Sequence, residues 1–255
     1  MTERNRSDSP GREPVRRGPV AEVRAFFDAA LLQPTERNYD ETPAQRLRRL
    51  IVVAATVVLG TIALGLALAI PPGDPRFYLA SLGVAGVWIV GALVSGPLHL
   101  GRGRTRAGTT SRGVLQGFIL GAMLLAVFLA GAFVIARIPL LRTPVEQLLD
   151  HVRHGSLGLV ALVTVVGGIA EELFFRGAVF AAFSRRFNLV GSTVLYAAST
   201  LFSGVPLLTF AAACLGLLTA AQRRVTGGVA GPITSHLTWS LGMLLLLGPV
   251  LDLGG

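Results

Sequence analysis

The chain has 255 residues, 52% of them hydrophobic and only 15% charged, with a mean hydropathy of +0.63. A soluble domain carries nearer a quarter charged residues. Here long windows hold no charge at all, which excludes a water-soluble globule and indicates a polytopic membrane protein. The net charge of +9 does not argue for a nucleic-acid partner, because its 23 basic side chains are all arginine and mostly flank apolar spans.

Residues 1–46 read as a cytoplasmic tail. Its first part, 1–18, is rich in charge, Ser and Pro and is expected to be disordered. The following stretch "VAEVRAFFDAALL" (20–32) has apolar residues at helical spacing, including Phe26 and Phe27. It suits either a short amphipathic helix on a membrane surface or a partly ordered tail. No early apolar core marks a cleavable signal peptide, so the first span is expected to act as its own insertion signal. The single cysteine, Cys214, excludes a disulfide framework or a Cys-based zinc site within the chain.

A spanning helix needs roughly 20 apolar residues. About seven segments qualify: 50–70, closed by Pro71 and Pro72; 78–95; 114–136; 157–175, with a shorter helix continuing through Phe183; 189–205; 207–221; and 229–250. The fold class is therefore an all-α transmembrane bundle. Three units follow: the tail (1–46), three N-terminal transmembrane helices (47–150), and a core carrying the chemistry (151–255). With the N-terminus cytoplasmic, 18 arginines fall on the cytoplasmic side and 4 on the other, as the positive-inside rule requires. The small-residue spacing Gly117…Gly121 permits close helix packing. No fixed-period repeat or inverted halves are visible.

Between Glu146 and Asp252 the only acidic residues are Asp150, Glu171 and Glu172. The two glutamates stand in "GGIAEELFFRGAVF" (167–180), where a carboxylate at mid-membrane costs on the order of 3 kcal/mol. Arg176 lies four residues beyond Glu172, roughly 6 Å along a helix and on nearly the same face. A Glu172–Arg176 pair is therefore expected. Glu171 points about 100° away and is free for another partner. Snorkelling to a cytoplasmic interface would make a purely structural pair cheap, but that account leaves Glu171 without a role. A general base is the functional alternative. His236, in "GPITSHLTWS" (231–240), is the one histidine inside a predicted span and sits at the same depth as Glu171. Its bland reading is a hydrogen-bonded core histidine. His99, His151 and His154 fall in predicted loops and are expected to be solvated.

EELFFRG resembles the EExxxR motif of the CPBP intramembrane proteases, the family that includes CAAX-prenyl endopeptidases and bacteriocin-processing proteins. "STLFSGVPLL" (199–208) resembles the second motif, with Phe202 in the Phe place and Pro206 where the family has His. "SHLTWS" resembles the third, with His236 in the His place and Ser240 where Asn is usual. The resemblance covers roughly residues 157–250. It implies an α-helical bundle around a cytoplasm-facing cavity and hydrolysis of a peptide bond in a membrane-associated protein or peptide. Carried over, Glu171 is the general base, Glu172 and Arg176 its orienting pair, and His236 a metal ligand or oxyanion donor. Phe202 and Ser240 become substrate contacts. A divalent metal, zinc by family precedent, is expected on Glu171 and His236. The absence of Lys, with 31 Gly and abundant Ala, hints at a GC-rich bacterial source, so the expected setting is a bacterial inner membrane, with the protein multi-pass. The competing readings are an inactive relative that binds or regulates membrane proteins, and a small transporter using Glu171 as a proton site.

Overall fold

A computed structural model describes residues 18–34, 41–104 and 109–254. The disorder expected for 1–18 falls almost wholly outside these residues. The stretch "VAEVRAFFDAALL" is helical, as α1 (Pro19–Phe27) running into a π-helical turn, Asp28–Leu32. Its apolar side chains are only partly covered.

The remainder is helical except for one antiparallel pair, β1 (Gly103–Arg104) and β2 (Thr110–Ser111). The helices are α2 (Pro43–Leu68), α3 (Arg76–Ser95), α4 (Val114–Ile135), α5 (Pro139–Arg153), α6 (Leu157–Glu172), α7 (Phe180–Ala182), α8 (Asn188–Ser199), α9 (Pro206–Thr226) and α10 (Ala230–Gly254). A π-helical segment, Leu173–Val179, joins α6 to α7 without a break. Among the described residues six helices are long and apolar enough to cross a membrane: α2, α3, α4, the continuous Leu157–Ala182 rod, α9 and α10. Their outward sides expose Ile51, Val58, Leu59, Ile62, Leu115, Val127 and Leu246. Apolar surface on this scale is compatible with lipid and not with water. The protein is an all-α, multi-pass membrane bundle.

Local chemistry explains the boundaries. Thr42 caps α2 with a capping box: its hydroxyl accepts from Gln45 N–H while Gln45 Oε1 accepts from Thr42 N–H. Asp74 accepts from both the Arg76 backbone N–H and its guanidinium at the start of α3, which holds the Asp74 carboxyl below the usual carboxylate range.

The fifth expected span, 189–205, is shorter than its apolar run suggests. Helix α8 ends at Ser199, where the Ser199 and Thr200 hydroxyls donate back to the Tyr196 and Ala197 carbonyls. A 3-10 turn (Leu201–Ser203) follows, then Gly204 at φ +72° and Pro206 as the first residue of α9. At twelve residues α8 spans about 18 Å, short of a bilayer core.

The loops also need correction. Residues 139–153, expected as an external loop, form the amphipathic helix α5, with Val145 and Leu149 buried. His151 is therefore not solvated. It packs against Phe77, and its Nε2 donates to the Ile70 carbonyl at 3.0 Å.

Two packing seams hold the site's helices. Where α4 meets α10, a Cβ at Gly117 would come within 2.6 Å of the Gly231 carbonyl oxygen, and one at Gly121 within 2.5 Å of the Ser235 oxygen. The small-residue spacing thus lets the two backbones touch, and Ser235 donates to the Gly117 carbonyl at 2.8 Å. On the other side Trp88 of α3 is buried. It stacks on Phe174 at 4.9 Å and lies 5.1 Å from Phe175, and Gly60 of α2 leaves room for its ring.

Candidate active site

The motif rod changes register where the charges sit. From Leu173 to Val179 its backbone bonds are π-type, and every residue from Phe174 to Phe180 is buried. A surface helix would expose one face of such a run, so this segment is enclosed on all sides. Side chains from neighbouring helices reach its carbonyls: Ser192 of α8 donates to Phe175 O at 2.9 Å, and Arg223 of α9 donates to Arg176 O at 2.7 Å. π-Segments inside α-helices recur at functional sites. Arg223, which lies just past the expected 207–221 span, is a buried residue of α9.

The Glu172–Arg176 pair is present at 3.2 Å, with both side chains 0% exposed. That excludes snorkelling as the way their charges are accommodated. The contact is an ion pair and not a well-aligned hydrogen bond, since Arg176 Nη1 and Glu172 Oε2 have no hydrogen-bond partner within the protein. Glu172 Oε1 also meets His236 Nδ1 at 2.9 Å. A carboxylate only accepts, so Nδ1 carries the proton of that bond, and the opposite edge of the ring, Nε2, is turned toward Glu171. Nε2 lies 3.9 Å from Glu171 Oε2.

Glu171 differs from its neighbour in exposure. Its side chain is 24% exposed, so it alone of the two carboxylates reaches open space. One oxygen, Oε2, accepts a 2.7 Å hydrogen bond from the Tyr196 hydroxyl. The Tyr196 ring in turn lies under the Arg176 guanidinium, 4.4 Å from its centroid. Gly168, one turn before Glu172, leaves space for the imidazole: a Cβ there would sit 3.6 Å from His236 Nε2.

Four expected site residues are thus brought together: Glu171, Glu172, Arg176 and His236. Ser240 lies one turn beyond His236 on α10, half-buried, with its hydroxyl oxygen enclosed and unpartnered. Phe202 is elsewhere. It is 76% exposed on the α8–α9 connector, against Gly65 of α2. Pro206 starts α9 at that same end. Tyr196 is the partner that sequence reasoning missed, because a lone tyrosine in an apolar run carries no motif.

The expected divalent ion finds two donors here, Glu171 Oε2 and His236 Nε2. Catalytic zinc takes three protein ligands. Among the described residues no group of three His, Cys, Asp or Glu is arranged to hold an ion. Glu172 is committed to the far edge of the imidazole and to Arg176.

Residues 153–242 match the family model described as type II CAAX prenyl endopeptidase Rce1-like. That interval contains every group of the cluster, from Glu171 to Ser240, and spans about a third of the 255-residue chain. Over residues 153–242 the chain is thus similar to the CPBP family. No curated protein and no solved structure matches the chain. The motif resemblance and the family match therefore agree on one segment, the segment whose side chains converge. Helices α2–α4 of the first half pack against this segment, and the described carboxylate–histidine cluster takes no side chain from them.

Proposed function

We propose that the protein is an active CPBP-type intramembrane endopeptidase that hydrolyses a peptide bond in a membrane-associated protein or peptide. The observation that carries this is the unequal treatment of two adjacent carboxylates. Glu172 is sealed and neutralised by Arg176, while Glu171 keeps an open face opposite His236. A structural ion pair needs one glutamate. The second, exposed and aimed, is what a general base needs.

A water between Glu171 and His236 Nε2 would give its proton to the Glu171 carboxylate as its oxygen attacks the scissile carbonyl carbon. The tetrahedral intermediate then collapses: the C–N bond breaks, and the proton held by Glu171 passes to the leaving nitrogen. The products are a carboxylic acid and an amine. Glu172 fixes the imidazole through Nδ1, as a carboxylate behind a catalytic histidine does. The unpartnered Ser240 hydroxyl, on the same helix face as His236, is a donor for the developing oxyanion. With two donors in place of a zinc triad, the hydrolytic step rests on these protein groups. The arginine distribution supports a cytoplasmic N-terminus, and the lysine-free, Gly-rich composition supports a bacterial inner-membrane setting.

The test is cleavage of a library of membrane-anchored peptides by the purified wild type, E171Q and H236A, with bound metal measured on each. Turnover by the wild type alone is expected. Wild type that is inert and indistinguishable from both variants sinks the reading. The absent histidine at position 206 favours a second reading, a non-cleaving relative that binds membrane proteins. That reading expects peptide capture without cleavage, equal in all three proteins.

A further inference from the structure

The family pattern asks α8 and its connector for a histidine that would join Glu171, and position 206 holds proline at the far end of that connector. The same helix nevertheless supplies Glu171 with a polar partner. The Tyr196 hydroxyl donates to Glu171 Oε2 at 2.7 Å, and a carboxylate leaves no other direction for that bond. The phenol is itself held firmly. Its ring is buried, packs 4.9 Å from Phe175 and carries the Arg176 guanidinium over its face. The arrangement also needs Gly216 of α9, where a Cβ would come 3.2 Å from both Arg176 Nη2 and Tyr196 Cδ1.

We infer that Tyr196 is the positioning residue for Glu171, filling from within α8 the place that Pro206 leaves open. This rests on Glu171 being the general base. Five side chains then close a circuit: Tyr196 to Glu171 by hydrogen bond, Arg176 over Tyr196, Arg176 to Glu172 by ion pair, Glu172 to His236 by hydrogen bond, and His236 Nε2 facing Glu171. The buried arginine serves both carboxylates, one directly and the other through an aromatic ring whose negative face it polarises. The phenol fixes Oε2 and with it the plane of the carboxylate, which keeps further lone pairs to take a proton from water. A single fixed rotamer of Glu171 is what positioning contributes to catalysis.

Two measurements on the full-length protein in detergent test it. The variant Y196F keeps the ring under Arg176 and removes only the hydroxyl. Its kcat should fall about 10- to 100-fold, the worth of a hydrogen bond to a charged group, with KM and the thermal unfolding midpoint near wild type. The second readout is independent of turnover. The chain has three tyrosines, Tyr39, Tyr78 and Tyr196, so a protein labelled with 13C at the tyrosine Cζ gives few resonances, and the one lost in Y196F is Tyr196. That resonance should move in E171Q. A resonance unmoved by E171Q, or Y196F with wild-type kcat while E171Q is dead, overturns Tyr196 as the positioning residue and leaves the general base standing. Inert wild type overturns the general base instead, and the resonance then decides the Tyr196–Glu171 bond by itself.

Discussion

Adjacent residues of identical chemistry take opposite roles here because the rod's geometry gives them different surroundings. Glu172 and Arg176 are mutually required: removing the guanidinium leaves a carboxylate in a closed apolar interior, which costs about 3–5 kcal/mol. Substitution R176M should therefore lower the thermal unfolding midpoint sharply, read by intrinsic fluorescence in detergent. E171Q should behave in the opposite way. Glu171 is partly exposed and has no ion pair with Arg176, so stability should hold while cleavage falls by about 10²–10⁴-fold. For S240A, loss of one oxyanion donor predicts a fall in kcat of about 10²-fold. A wild-type kcat in that variant would remove Ser240 from the reaction. Most of this cluster was legible in the chain. The i,i+4 spacing gave the Glu172–Arg176 pair, and depth along two spans gave His236. Tyr196 was not legible, because its importance comes from a helix-to-helix contact that no local pattern encodes.

At the scale of elements, the site depends on how α10 is set against α4. His236 follows Ser235, whose carbonyl faces Gly121. A side chain at Gly121 must push α10 away or rotate it, and the imidazole moves with it. G121L is expected to destabilise by about 1–3 kcal/mol and to reduce cleavage even under conditions where the protein remains folded. A variant with full activity and unchanged melting would show that the seam does not set the site. The apolar runs announced their spans because lipid imposes length and hydrophobicity on each independently. Where elements are not spans, the chain was harder to read. Helix α8 stops early through hydroxyl back-bonds and a left-handed glycine, and α5 has a helical pattern in a stretch that resembles a loop by hydropathy. The π-type register at Leu173–Val179 had no signature either, since it reflects burial on every side.

For the whole molecule, the arginine distribution and the bundle give one topology to check. The arginine-rich end gathers the α7–α8 turn, the α9–α10 turn and the segment leading into β1, tied by Arg102 N–H to the Thr226 carbonyl and Val229 N–H to the His99 carbonyl. The opposite end gathers α5, the α2–α3 turn and the end of α10, tied by His151 to Ile70 and Arg153 to Asp252. With Cys214 replaced by alanine, R186C should be labelled by a membrane-impermeant thiol reagent only from the cytoplasmic side, and R137C only from the other. Labelling in the reverse sense would invert the protein, and the site would face away from cytoplasmic substrates. What the sequence determined by itself was the class of solvent, the approximate spans and the residues that could not be there without a reason, because a bilayer penalises each charge and each short helix locally. Tertiary structure alone decided which of those residues meet. The depth of burial, the side of an imidazole that faces a carboxylate, and the tyrosine that steadies that carboxylate all depend on several helices enclosing one rod. Only their packing supplies that information.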